Sequence, residues 1–178
     1  MIEGGLAPDI QIDILVEVGD WRRSVPAASD LAHKAAKAAI TGENMTAGAL
    51  ELSILLTDDA AIAELNSQWR GKSGPTNVLS FPAEMDAARP PPAGAPVLLG
   101  DIAVALETLM TEARDAGIGP KDHLRHLVVH GVLHLCGYDH ENDADAERME
   151  GREIEILKAL GVSDPYATAE RRLENARP

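Results

Sequence analysis

The stretch HGVLHLCGYDH, residues 130–140, carries His130, His134 and His140, with Gly137 between the last two. On a helix, residues four apart share a face and stand ~6 Å apart along the axis. His130 and His134 can therefore direct two imidazoles at one ion. Gly137 can take the left-handed conformation that ends a helix, and a turn there would bring His140 back beside His134. Three neutral nitrogens leave a tetrahedral ion one open position, the arrangement of a catalytic zinc. Asp139 and Asp143 are the nearest candidates for a fourth ligand, which would make the site structural instead. Zinc peptidases use nearly this spacing, but they place Glu directly after the first histidine as the proton acceptor. Here that position is Gly131, which argues against a peptidase.

Two more histidines lie on the same predicted helix. His126 shares the face, but its eight-residue separation from His134 is ~12 Å of rise, too far for a common ion. His126, His123 and the distant His33 are read as surface or satisfied core histidines. Cys136, ~200° around the helix from His134, points away from the ion.

A second constellation precedes the histidines. NSQWRGKSGPTNVLSFP, residues 66–82, contains Arg70 and Lys72 and no acid, in a chain whose net charge is −13. Arginine suits bidentate phosphate binding. Thr76, Asn77 and Ser80 add neutral hydrogen-bonding groups beside it. On charge pattern alone the window reads either as an ordinary solvated turn or as a local positive island for a phosphate-bearing substrate, extended by Lys121 and Arg125. The overall charge opposes broad nucleic-acid binding, yet a local groove can still hold phosphate.

The elements that must position these residues follow from periodicity. Alternating apolar residues predict strands at 10–18, 50–56, 77–81 and 98–105. An Ala-rich helix is predicted over 26–40, and a helix capped by Thr57 or Asp58 runs to Trp69, with Leu65 and Trp69 facing the core. Further helices are predicted at about 106–116, 120–136 and 142–160, with Pro120 suited to a first turn. Strands interleaved with helices give an α/β (α+β) fold, a single domain with a four-stranded mixed sheet and roughly five helices. The domain is read as 1–162, with a Pro-rich loop insertion near 83–97 and a tail at 163–178 read as a further turn of helix or as disordered.

At 178 residues and 45% hydrophobic content, the chain suits one globular core. No apolar run reaches the ~20 residues of a membrane span, and the N-terminus lacks the pattern of a signal peptide. Cys136 is the only cysteine, which fits a reducing, cytoplasmic setting.

HGVLHLCGYDH, WRGKSGPTNVLSFP and LGDIAV together resemble the YbeY family of bacterial endoribonucleases, the ribosomal RNA maturation factors. The three motifs occur in family order and lie within residues 66–140. The resemblance implies one zinc held by His130, His134 and His140, and a functional arginine at Arg70 in a positively charged groove that admits single-stranded RNA. It further implies action on the 3′ end of small-subunit ribosomal RNA, a role in ribosome quality control, and ribosomal partners. Neither DNA nor membrane is an expected partner. The family motif more usually carries Asp where Asn77 stands. Two other readings stay open: a non-catalytic assembly factor with structural zinc, and a metal-dependent hydrolase of another substrate.

Overall fold

Four strands form one sheet in the order β1-β2-β4-β3. They are β1 (Asp9–Val16), β2 (Ala49–Thr57), β3 (Val78–Pro82) and β4 (Val97–Ala105). β1, β2 and β4 run parallel, and β3 pairs antiparallel with β4. The structure, a computed structural model, describes residues 9–17, 20–43, 49–84, 92 and 94–167. Val18 of the first expected strand, residues 85–91 and 93 of the Pro-rich loop, and residues 168–178 of the tail lie outside the described residues.

Alternation decides which face of the sheet is covered. Leu50, Leu52, Ile54 and Leu56 of β2 point to one side and are buried. The helices on that side are α2 (Ala28–Gly42) and α5 (Pro120–Leu135). α2 buries Ala28, Ala32, Ala35, Ala36 and Ala39; side chains this small allow helix and sheet to approach closely. α5 is buried over most of its circumference, through Leu124, Leu127, Val128, Val129, Val132 and Leu133. It packs on α2, β3 and β4 and on both flanking helices, α4 (Leu106–Ala116) and α6 (Asp143–Ala159). A helix held on so many sides is a rigid base for a functional site.

The opposite face has a smaller core of Ile62, Leu79, Ala103 and Ala105, roofed by α3 (Asp59–Arg70). Asp58 caps α3, accepting from the Ala61 amide at 2.8 Å. Leu65 joins this core at its edge. Trp69 does not, contrary to the sequence expectation. It is 66% exposed and meets the Phe81 ring edge-on, 6.2 Å between centroids. The second core ends before the last turn of α3, so the indole stands at its margin. One element escaped the sequence reading: α1, a single turn at Trp21–Ser24. It is anchored by the buried Trp21, whose indole donates to the Thr57 carbonyl at 2.9 Å. No helix among the described residues is long and apolar enough to cross a membrane.

Candidate metal centre

α5 ends as the sequence predicts. Gly137 takes φ 92°; its amide bonds the His134 carbonyl and the Tyr138 amide bonds the Leu133 carbonyl, both at 3.0 Å. This pair of bonds is the glycine-ended Schellman cap. The turn is anchored to the neighbouring helices. The Tyr138 hydroxyl donates to Glu43 just past α2 at 3.0 Å, and Glu43 also accepts from Arg152 of α6 at 2.7 Å. Asp139 accepts from the His140 amide at 2.7 Å.

The turn delivers His140 to the helix pair. Nitrogens of His130, His134 and His140, one from each ring, all lie within 4.8 Å of one another. His130 and His134 are half-buried and His140 is exposed. Among the described residues, no Asp, Glu or Cys joins this cluster. Cys136 packs against the apolar core instead.

Hydrogen bonds fix the tautomers of the two helix histidines. His130 Nδ1 sits 2.6 Å from Glu153 Oε1. His134 Nδ1 sits 3.0 Å from the Tyr138 carbonyl oxygen. An ionised carboxylate and a carbonyl only accept, so both Nδ1 atoms carry hydrogen. Each neutral ring then presents a lone pair at Nε2, and the two Nε2 atoms are 3.0 Å apart. Two lone pairs at that distance repel unless a proton or a cation sits between them. A tetrahedral zinc at ~2.0–2.1 Å from each nitrogen would hold them ~3.4 Å apart. The donor set therefore fits a metal ion, with His140 exposed enough to close on the pair. Burial, the largest cause, lowers the His134 pKa from the ordinary histidine range, which favours the neutral ring.

Glu153 is the residue the sequence reading missed. Its side chain is 0% exposed and lies among the core residues Met149, Ile156 and Leu157 of α6. An acid within an apolar helical stripe was the available signal. Burial pushes its carboxyl up, but hydrogen bonds from His126 and His130, the His126 charge and a bond from Tyr166 outweigh burial and hold it at about 2. His126 is thereby accounted for as a satisfied histidine, with Nε2 3.2 Å from Glu153. His123 meets Glu112 through Nε2 at 2.7 Å, while its buried Nδ1 has no hydrogen-bond partner, and neither histidine joins the three-histidine cluster.

The residues of the expected phosphate island separate into two groups. The Asn77 amide donates to both Glu112 oxygens, at 3.2 and 3.1 Å, and its Oδ1 accepts from Val78. An Asp at this position would face the Glu112 carboxylate, so Asn suits its neighbour. Ser80 donates to the Gly131 carbonyl at 3.1 Å, joining β3 to the histidine helix. Arg70 and Lys72 are exposed and Thr76 is half-buried.

Arg70 lines an open groove of about 1140 Å³ on the less covered sheet face, floored by Leu55, Trp69, Phe81 and Ala103. The three histidines are not among its lining residues. The groove corrects the expectation of positive charge. Among the described residues, Asp13, Glu17, Glu84 and Asp101 line it against the single cation Arg70. The 66–82 window is free of acids, but the fold sets Asp13, Glu17 and Asp101 around the same groove, and Glu84 lies just past the window.

Comparison with known proteins agrees with the fold and the motifs. The family described as Endoribonuclease YbeY matches residues 16–161. The chain is 54% identical over 158 residues to the Endoribonuclease YbeY of Rhodospirillum rubrum, covering 85% of this chain and 78% of the relative. It is 51% identical over 160 residues to that of Azorhizobium caulinodans, covering 89% and 97%. The solution structure of TM1509 from Thermotoga maritima shares the fold, with TM-score 0.54 and 24% identity over 94% of this chain and 97% of that one. With the family match over residues 16–161 and more than half of the aligned residues identical to those of the Rhodospirillum and Azorhizobium proteins, the chain belongs to the YbeY endoribonuclease family.

Proposed function

We propose that the chain is a zinc-dependent, single-strand-specific endoribonuclease that matures the 3′ end of small-subunit ribosomal RNA and serves ribosome quality control. The observation that carries the metal reading is the pair of Nε2 lone pairs facing each other at 3.0 Å, with a third imidazole beside them. His130, His134 and His140 would hold the ion. When bound, zinc supplies Lewis acidity toward a phosphate oxygen and lowers the pKa of water.

The chain's own residues do the rest. Gly131 leaves no carboxylate at the position that follows His130 in the chain, unlike a zinc peptidase. Glu153 has three donors and no solvent contact, so it holds His130 and takes no proton from substrate. Arg70 pairs with a phosphate of the bound strand and offsets its charge, and Lys72 and Thr76 extend that contact. Asn77 and Ser80, already engaged by the protein, shape the loop and strand that present Arg70. Trp69, exposed beside Arg70, offers a base a stacking face. The acids of the groove keep intrinsic RNA affinity low, so targeting to the ribosome falls to a ribosomal or protein partner.

The test is Arg70→Glu. Cleavage of single-stranded RNA should fall by at least ~100-fold, with zinc content and thermal unfolding unchanged. Arg70→Lys should recover only part of the rate, because an ammonium cannot form the two-pronged pair. Full activity in Arg70→Glu would remove Arg70 from the phosphate.

A further inference from the structure

We infer that Glu153 is a positioning residue for the metal ligand His130, and that Tyr166, from the segment after α6, belongs to the same support. This rests on the metal reading above, but it concerns groups that touch neither ion nor substrate.

Glu153 Oε1 takes the Nδ1 hydrogen of His130 at 2.6 Å. Oε2 takes His126 Nε2 at 3.2 Å and the Tyr166 hydroxyl. Three donors converge on one buried carboxylate. Burying a charge is unfavourable unless it is paired and hydrogen-bonded, and an apolar residue would serve packing better at this point of α6. The carboxylate is explained by what it does to His130. It fixes the hydrogen on Nδ1, leaves Nε2 as the ligand atom, locks the ring's rotation and raises its basicity. His134 has only a backbone carbonyl in the corresponding place, so the two ligands are unequally supported.

Tyr166 completes the arrangement from outside the helix pair. Its amide bonds Asp164 at 2.8 Å, which turns the chain so that the ring stands edge-on to His126, 5.6 Å between centroids. Burial and the Glu153 charge push its hydroxyl above the ordinary tyrosine range, so it stays a donor. The segment 163–167 is thus tied to the layer of groups behind the metal ligands.

The experiment uses metal-stripped full-length chain with Glu153→Gln, Tyr166→Phe and, as control, Glu112→Gln, whose partner His123 is not a ligand. Zinc affinity is read by competition with a chromophoric chelator, and His130 protonation by long-range 1H–15N spectra. Glu153→Gln should weaken zinc ~10–100-fold and turn the single Nδ1-protonated His130 form into a mixture. Tyr166→Phe should weaken zinc several-fold, and Glu112→Gln should leave it unchanged. Folded Glu153→Gln with wild-type affinity would overturn the inference, as would an equal loss in Glu112→Gln. If Glu153→Gln does not fold, wild-type affinity in Tyr166→Phe overturns it. A wild-type chain that binds no zinc while His130 shows the expected protonation would sink the metal reading, and the metal role of Glu153 with it.

Discussion

His130 and His134 differ from His123 and His126 in what their Nε2 atoms meet. In the first pair, Nδ1 is engaged and Nε2 faces the other ligand. In the second, Nε2 itself is tied to a carboxylate. Rise per residue keeps His126 too far from His134 to share an ion with it. The turn at Gly137 was legible for the same local reason. Glu153 was not, because its partner His130 lies 23 residues away and α6 is otherwise rich in solvated charge. The purified chain should carry about one zinc. His134→Ala should lose most of it, measured by metal analysis of the purified variant. His126→Ala keeps all three ligands and should retain the metal. Equal loss in the two variants would break the ligand assignment.

At the scale of elements, Gly131 explains why this helix lacks the peptidase glutamate. A Cβ there would lie 3.1 and 3.2 Å from two Ile102 carbons and 3.2 Å from the Ser80 hydroxyl. α5 crosses β3 and β4 too closely at this point for any side chain to fit without a shift. Gly131→Ala should therefore destabilise the chain by about 1–2 kcal/mol, overpacking outweighing the gain in helix propensity. Gly151→Ala, on the exposed side of α6 with nothing within 4 Å, should stabilise by ~0.5–1 kcal/mol. Urea unfolding of the two variants checks both signs, and equal stabilisation would mean α5 has room. The major strands and helices were legible because each has a clear period over eight or more residues or a strong punctuator. The four-residue α1 has no period to read, and its anchor depends on a contact from Trp21 to Thr57, 36 residues on. Trp69 was misplaced because amphipathic spacing gives a helix's inner face, not where the core beneath it stops.

At the scale of the whole molecule, charge governs how RNA arrives. The net charge of −13 and the four carboxylates lining the Arg70 groove leave room to neutralise only about two or three phosphates. For single strands, log affinity should then fall with log salt at a slope of roughly −1.5 to −2. Binding of an inactive variant to RNA across a salt series measures it, and a slope steeper than about −4 would reveal a basic surface absent from the described residues. The acid-free window was legible in the sequence. Asp13, Glu17 and Asp101 were not, since tertiary structure brings them from distant segments; Glu84 lies just past the window in the chain. The most direct test of the account is cleavage of single-stranded RNA by the metal-stripped chain, titrated with zinc. Stripped chain should cut no faster than buffer, and activity should return and level off at about one zinc per chain. Undiminished cutting by the stripped chain would contradict a metal centre at His130, His134 and His140 as the seat of the reaction.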